Sequence, residues 1–295
     1  MRRRHMRFPI LALAVLLAAA CAPAKPARKI PAAVAPVTHS PSPATAPATR
    51  TAEQASSPVA YPAVENTSPA NGPRLTSRDI SGITLEGVSF DSRTHRLRVV
   101  DQAGGPGSRF ADSASAGRSV GGIAAVNAGF FTPEGAPLGL VVSSGKVSGS
   151  WNGSSLGSGV WYENTSGDSG ISRREKLGRS GAASMRDCLQ AGPLLVENGR
   201  AVGGLDTGKA SVRMMVLWDG GSRWWIGRAS ASSLAELGKA LSSGGPAGWP
   251  IRHALNLDGG RSADLWISEA VSGGPVVRRA PWNRPVRNFL ALVRK

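Results

Sequence analysis

The sequence has little cysteine and few aromatic residues, and each shortage excludes a class of site. Two cysteines, Cys21 and Cys188, occur among 295 residues. This number excludes a zinc cluster of cysteines and histidines, and the spacing excludes a CxxC motif. We predict that Cys188 is a buried small hydrophobic residue rather than a nucleophile. Aromatic residues make up 5% of the chain and the basic residues are scattered, so no nucleic-acid partner is expected.

Long apolar runs are also missing, and the one run near the start is short. Four arginines within the first seven residues precede an apolar stretch over 8–20 that ends at Cys21. This stretch is shorter than the ~20 residues of a membrane-spanning helix. We therefore predict a signal peptide over 1–21 with a lipobox-like end, although Ala18 stands where a lipobox has Leu. Lipidation of Cys21 predicts an exported lipoprotein, anchored to the membrane and facing the periplasm or the exterior. An ordinary secretory signal is the alternative.

The next segment, 22–75, is dominated by Ala, Pro, Ser and Thr. Such a composition cannot bury a core, so we predict a disordered tether before a domain over 76–295. This domain has 26 basic and 17 acidic residues, and therefore carries +9 of the chain's net charge of +16. A moderately basic domain favours anionic glycans, phosphates or a lipid surface as partners, and an unspecific solvated surface is the alternative.

The domain consists of short apolar runs joined by Gly-rich turns. Hairpins are predicted over 138–147, 194–202 and 212–226, and in the second of these Asn198-Gly199 suits a type I′ turn. One helix is predicted where Ser233 and Glu236 form a capping box. The fold class is therefore predicted as α+β, a single domain of mixed sheet and hairpins with few helices, preceded by a signal and a disordered linker.

Polar residues at strand ends are the candidates for chemistry. Asn127 follows an apolar run and precedes Gly129 and two phenylalanines, and its amide can donate to and accept from sugar hydroxyls. Arg213 interrupts an apolar strand, where its charge is costly unless an Asp or a substrate phosphate pairs with it. Both a salt bridge and a phosphate site fit this pattern.

The segment Asn256-Leu257-Asp258-Gly259-Gly260 is the most informative. An apolar strand ends in a carboxylate, and two glycines then allow a sharp turn with exposed N–H groups. Asp258 beside these groups and Ser262 can act as acid, base, nucleophile or metal ligand. A plain Asp-Gly turn is the alternative.

Together these segments resemble the phosphodiester glycosidase family over roughly residues 80–295. The motifs that carry the resemblance are, in order, Asn127-Ala128-Gly129-Phe130-Phe131, Gln190-Ala191-Gly192-Pro193, the strand with Arg213, Asn256-Leu257-Asp258-Gly259-Gly260 and Arg284-Pro285-Val286-Arg287-Asn288. The resemblance implies a hydrolase that cleaves a sugar phosphodiester or a related glycosidic bond in an envelope or extracellular glycan. A non-catalytic envelope protein that binds anionic glycan is the alternative.

The resemblance also implies roles for individual residues. Asp258 is expected to be catalytic, as nucleophile or base, and Arg213 to bind the phosphoryl oxygens. The expected substrate-binding residues are Asn127, Asn256, Gly259, Gly260, Ser262 and Asn288. Most glycosidases use two carboxylates, and the candidates for the second are Glu134, Asp187, Asp206 and Asp264. A divalent cation such as calcium is the one cofactor left open, and no ligand is assigned to it.

The sequence departs from the family pattern at three positions. Arg261 stands where the family often has Gly, Thr132 where it often has Asp, and Met214 where it often has Thr. These differences leave the substrate and any metal ligation open.

A second motif, Gly153-Ser154-Ser155-Leu156-Gly157, matches the G-x-S-x-G pattern of serine hydrolases. That motif requires a strand before it and a helix after it, whereas the flanks here predict a loop. Only His95 and His253 remain as bases in the domain, and we therefore reject this assignment.

Overall fold

The computed structural model describes residues 72–295. The predicted signal peptide, the lipidation site Cys21 and nearly all of the predicted tether lie outside these residues. The first strand begins at Arg74, two residues before the domain boundary that the composition indicates. Within 72–295, no helix has the length and apolar character needed to cross a membrane.

Residues 72–295 form seventeen strands and three helices. The strands are β1 (Arg74–Ile80), β2 (Ile83–Asp91), β3 (His95–Asp101), β4 (Ala124–Asn127), β5 (Val141–Ser143), β6 (Lys146–Ser148), β7 (Gly159–Glu163), β8 (Ser169–Arg173), β9 (Asp187–Ala191), β10 (Leu194–Glu197), β11 (Arg200–Ala201), β12 (Ser211–Trp218), β13 (Arg223–Ser232), β14 (His253–Leu257), β15 (Asp264–Ile267), β16 (Val276–Arg279) and β17 (Asn288–Arg294). The helices are α1 (Ser113–Ser119), α2 (Arg174–Ala183) and α3 (Leu234–Ser243).

The strands form three sheets. Sheet A has the order β1-β2-β13-β12-β14-β10-β11, sheet B the order β16-β15-β4-β17-β3, and sheet C the order β6-β5-β9-β7-β8. Every pair of neighbouring strands in these sheets is antiparallel. The prediction of a single domain with few helices is confirmed, but the prediction of a mixed sheet is wrong for the described strands. Hairpins join some neighbours, such as β12 and β13, and long-range pairings such as β4 with β17 join others. None of the three helices serves as a crossover between parallel strands.

The hairpins and the helix start that were predicted from short sequence motifs are present in the structure. The three predicted hairpins are β5–β6, β10–β11 and β12–β13. Asn198 and Gly199 have φ angles of 50° and 78°, as a type I′ turn requires. In α3, Ser233 Oγ accepts from the Glu236 N–H at 3.2 Å, and the Glu236 carboxylate accepts from the Ser233 N–H at 2.9 Å. This reciprocal capping box fixes the start of the helix.

The largest hydrophobic cluster draws on all three sheets. Met214 and Leu257 come from sheet A, Val126 and Leu290 from sheet B, and Trp161 from sheet C. Burial of a large apolar side chain contributes about 1.5–3 kcal/mol, so this shared cluster makes the three sheets one folding unit. Helix α3 covers the other face of sheet A, and α1 packs on the other face of sheet B. The ends of the central strands β4 and β14 are thereby fixed in a rigid frame.

Candidate active site

Asp258 lies directly after β14, at the point where this strand leaves its neighbour β12. The β12–β14 register sets Met214 opposite Leu257. Beyond this pair, Gly259 lies against the backbone of Val212 and Arg213 in β12. A Cβ on Gly259 would overlap the Val212 carbonyl oxygen and lie 3.4 Å from the Cα of Arg213. Gly259 is therefore needed for close packing against β12, and Gly260 for its φ of 59°. Gly259 and Gly260 were predicted to allow close approach of a ligand. In the structure they allow the turn after Asp258 to pack against β12.

The backbone of Asp258 is held on both sides by the end of β4. Its N–H donates to the Ala128 carbonyl at 2.9 Å, and its carbonyl accepts from Asn127 Nδ2 at 2.7 Å. Asn127 Oδ1 in turn accepts from the Asp264 N–H at 2.9 Å. The sequence predicted that Asn127 binds a sugar, whereas the residue has 0% exposure and its amide contacts the backbone of Asp258 and Asp264. One buried amide thus clamps both ends of the segment 258–264.

The side chain of Asp258 has an unusual protonation equilibrium. Burial raises the pKa of its carboxyl from 3.8 to about 6, and hydrogen bonds from the Ser262 hydroxyl and the Gly259 N–H oppose this rise. No cation in the described part of the chain lies within ion-pair distance of it. A carboxyl that titrates near neutrality can exchange a proton with a substrate or a water molecule, as acid–base catalysis requires. Ser262, predicted to bind substrate, is 8% exposed, and its hydroxyl lowers the pKa of the Asp258 carboxyl.

Two other predicted substrate ligands, Asn256 and Asn288, are also buried. Asn256 Nδ2 donates to the Gly192 carbonyl at 2.9 Å, and Asn288 Oδ1 accepts from the Gly129 N–H at 2.6 Å. Each side chain keeps one amide atom, Asn256 Oδ1 and Asn288 Nδ2, without a partner among residues 72–295. The motifs of the sequence therefore converge as the resemblance implies, and their asparagines link one motif to the next.

Arg213 is the predicted phosphate ligand, and it occurs without a carboxylate partner. Its Nε donates to the Ser232 carbonyl at 3.2 Å and its Nη2 to the Lys209 carbonyl at 2.7 Å. Burial lowers the pKa of the guanidinium, and the charge of Asp206 opposes this shift. No salt bridge to Arg213 is formed by the described residues, and its guanidinium is held by the Ser232 and Lys209 carbonyls.

The four candidates for a second carboxylate are placed differently. Asp264 is linked to Asp258 through Asn127, but it is buried and accepts from the Ser113 N–H at 2.9 Å and from Arg279 at 2.8 Å. Burial raises the pKa of Asp264. Asp187 accepts from the N–H groups of Val99 in sheet B and of Ser144 in the β5–β6 turn, and Asp206 accepts those of its own loop. Glu134 lies in an exposed loop. None of them forms a pair with Asp258 in this structure.

The Gln190 side chain is hydrogen-bonded to the loop that contains the G-x-S-x-G segment. The Gln190 amide accepts from the Leu140 and Asn152 N–H groups and donates to the Asn152 and Gly157 carbonyls, at 2.8–3.1 Å. Ser155–Gly157 is a 3₁₀ turn in a loop, not a strand-to-helix elbow. The prediction that this segment is a loop is confirmed. Cys188 is buried and free, as predicted, and burial raises the pKa of its thiol.

A cavity of about 350 Å³ adjoins the turn that follows Asp258. We call it the arginine cavity. Its lining residues are Val212, Arg228, Gly260, Ala263, Val277, Arg278, Arg279, Ala280, Trp282 and Asn283. Sequence reasoning did not single out its three arginines or Trp282. The available signal was an Arg-Arg pair followed closely by a tryptophan in a polar loop.

The residues present do not fit a carboxylate-bound metal centre. Calcium takes six to eight oxygen ligands, usually with several carboxylates. No group of three or more His, Cys, Asp or Glu side chains suited to a metal ion occurs among residues 72–295. Residues 72–295 therefore provide no carboxylate ligand set for the expected calcium ion.

An aspartate with a near-neutral pKa, set at the end of a central strand, is a candidate acid–base group. The sequence pattern of the phosphodiester glycosidase family matches residues 121–293, which is more than half of the chain. The chain belongs to this family, and the resemblance of its motifs is thereby confirmed.

Two solved structures share this fold. The catalytic domain of zebrafish N-acetylglucosamine-1-phosphodiester alpha-N-acetylglucosaminidase, auto-inhibited by its pro-peptide, is 16% identical, with 76% of this chain and 83% of that chain covered and a TM-score of 0.53. A hypothetical protein from Synechocystis is 17% identical, with 76% of this chain and 62% of that chain covered and a TM-score of 0.51. At such identities the likeness concerns the fold alone. No curated protein matches the chain.

Proposed function

We propose that this protein hydrolyses the glycosidic bond of a sugar-1-phosphodiester, with Asp258 as the general base. The observation that carries the proposal is the Asp258 carboxyl, whose pKa is raised to about 6 by burial at the end of β14. A base works best when its pKa lies near the working pH. Membership of the phosphodiester glycosidase family supports the bond type, and the unpaired charge of Arg213 supports an anionic substrate.

In the proposed reaction, ionised Asp258 takes a proton from a water molecule. The water oxygen bonds to the anomeric carbon as the bond from that carbon to the phosphate oxygen breaks. The phosphate leaves as a monoester anion and needs little protonation, so one carboxylate suffices where other glycosidases use two. Arg213 stabilises the leaving phosphate, since a guanidinium can donate two hydrogen bonds to it.

The buried asparagines are positioning residues in this proposal. Asn127 fixes the Asp258 backbone, while Asn256 and Asn288 join the neighbouring loops. A displacement of about 1 Å at a catalytic group can cost about a hundredfold in rate. The clamp formed by Asn127 is therefore expected to influence kcat more than KM.

A chromogenic sugar-1-phosphodiester tests the proposal together with its pH dependence. We expect wild type to cleave it, with kcat/KM falling as the pH drops below about 6 because Asp258 becomes protonated. Ser262→Ala removes a hydrogen bond that favours the ionised carboxylate. The pKa of Asp258 should therefore rise. The fall of kcat/KM at acidic pH should begin roughly 0.5–1 pH unit higher, a shift that corresponds to the free energy of one hydrogen bond.

The control for this experiment is Ser242→Ala, which removes an exposed hydroxyl at the end of α3. It should leave the pH profile unchanged. An unshifted limb in Ser262→Ala would show that Asp258 is not the titrating base. No turnover of the diester, with affinity for it retained, would favour the alternative of a glycan-binding protein.

We further propose that the enzyme acts at the cell envelope, on an envelope or extracellular glycan. The basic and apolar signal region and Cys21 support export and lipid anchoring. Wild type should incorporate an alkyne-labelled fatty acid and fractionate with membranes, and Cys21→Ser should do neither. Equal labelling of the two proteins would exclude Cys21 as the lipidation site.

A further inference from the structure

The arginine cavity takes no part in the proposed reaction, although it shares a wall with the catalytic turn. Gly260 and Ala263 line it, and the intervening Ser262 contacts Asp258. The opposite wall is the segment 276–283. This segment is tied to the catalytic turn by Asn283, which donates to the Ala263 carbonyl, and by the Arg284 N–H, which donates to the Arg261 carbonyl at 3.0 Å. The cavity therefore has a fixed position beside Asp258.

Two of the three arginines that line the cavity pair with carboxylates, and the third does not. Arg278 donates twice to Glu86, at 2.8 Å each, and Arg279 donates to Asp264 at 2.8 Å. The side chain of Arg228 makes no hydrogen bond or ion pair with residues 72–295, although the residue is partly buried. No acidic side chain lines the cavity. A partly desolvated guanidinium without a partner is costly, and an anionic ligand would offset that cost.

Glu86 does not neutralise Arg228. The β2–β13 register sets the two residues directly opposite each other. Both carboxylate oxygens of Glu86 nevertheless accept from Arg278. The side-chain donors of Arg228, which lines the cavity, thus have no carboxylate partner among residues 72–295.

The rim of the cavity is apolar and open. Trp282 is 68% exposed and Val277 is 59% exposed. A large exposed tryptophan is unusual on a soluble surface, and its flat ring suits the apolar face of a sugar. The cavity volume of about 350 Å³ lies at the small end of ligand pockets, which suits a single sugar unit.

We propose that the arginine cavity is a second glycan subsite, which binds a sugar carrying its own phosphate or carboxylate. Arg228 pairs with that anion, and Trp282 packs against the sugar ring. The position of the subsite next to the cleaved bond rests on the proposed function, whereas anion binding does not. The preferred substrate would then be an acidic glycan with a charge on the unit beside the cleaved phosphodiester.

Equilibrium binding tests the subsite without any turnover. Glucose 6-phosphate, glucuronate and glucose are titrated by calorimetry, and none of them contains the bond that the enzyme is proposed to cleave. We expect the two anions to bind wild type about tenfold more tightly than glucose, and Arg228→Gln to abolish this difference. Trp282→Ala should weaken all three ligands several-fold. A preference for the phosphate over the carboxylate, or the reverse, would identify the anion.

The matched control is Arg200→Gln, which removes the same charge from an exposed position on β11, at the far edge of sheet A. It should retain the preference for the anions. Equal binding of all three sugars by wild type, or equal losses in the two arginine variants, would overturn the subsite. Loss of anion binding in Arg228→Gln would support it even if no phosphodiester were ever cleaved.

Discussion

An Asp258→Asn variant should lose about a thousandfold in kcat/KM on a sugar phosphodiester while its folded state becomes more stable. The loss follows because an amide cannot accept the proton of the attacking water, and a positioned base contributes about 10²–10⁴-fold. The gain follows from the same burial that raises the pKa of Asp258 from 3.8 to about 6. The folded state at neutral pH must hold an ionised carboxylate in a poorly hydrated position.

The raised pKa of Asp258 also makes the free energy of unfolding depend on pH. The pKa of Asp258 is higher in the folded than in the unfolded state, so its stabilising contribution is present below pH 4 and is lost as the pH rises through about 6. A shift of this size corresponds to at most about 3 kcal/mol. Urea unfolding should therefore show Asp258→Asn to be more stable than wild type at pH 7 and equal to it at pH 4.

The control is Asp168→Asn, at an exposed aspartate in the turn between β7 and β8. It should change neither turnover nor the pH dependence of stability by a comparable amount. If Asp258→Asn lost both turnover and stability, the carboxylate would be a structural residue. Undiminished turnover would exclude it as the base.

Asn127→Ala should destabilise the protein by about 2–4 kcal/mol, because it leaves the Asp258 carbonyl and the Asp264 N–H without partners in a buried region. The fraction that remains folded should have a kcat about a hundredfold lower, with KM changed far less, since the catalytic segment loses its clamp. Denaturant unfolding and steady-state kinetics measure the two effects separately.

A second substitution separates positioning from stability at Asn127. Protonated Asp has the same shape and can both donate to Asp258 and accept from Asp264, whereas ionised Asp can only accept. Asn127→Asp should therefore regain stability as the pH falls. Asn164→Ala, in the β7–β8 turn, is the control. A raised KM with unchanged kcat in Asn127→Ala would contradict the positioning role and support direct contact with the substrate.

Local signals were sufficient for much of the fold. Asn198-Gly199 specifies its hairpin, and Ser233 with Glu236 specifies the start of α3, because each device acts over four residues or fewer. The two other helices were not predicted. The capping box of α1 uses Ser115 in place of Glu or Gln, and α1 has no apolar period. Helix α2 is interrupted at Gly178, which has a φ of 70°.

The site was predictable in its segments but not in its contacts. An asparagine amide has the same donors and acceptors whether it faces a sugar or a backbone, so the burial of Asn127 against Asp258, 131 residues later, could not be read from the motif. The arginine cavity illustrates the same limit. Arg228 and Arg279 meet only because β12, β13, β15 and β16 lie in two sheets that share one core.

The pairing of β4 has a consequence for how this protein is made. Its neighbours are β15 and β17, so residues 124–127 find their strand partners only among residues 265–292. Pairings between such distant segments raise the contact order and slow folding. Sheet B cannot close until nearly the whole domain has been synthesised. For a chain with the proposed export route, this delay would favour translocation, because sheet B remains open until its last strand has been made.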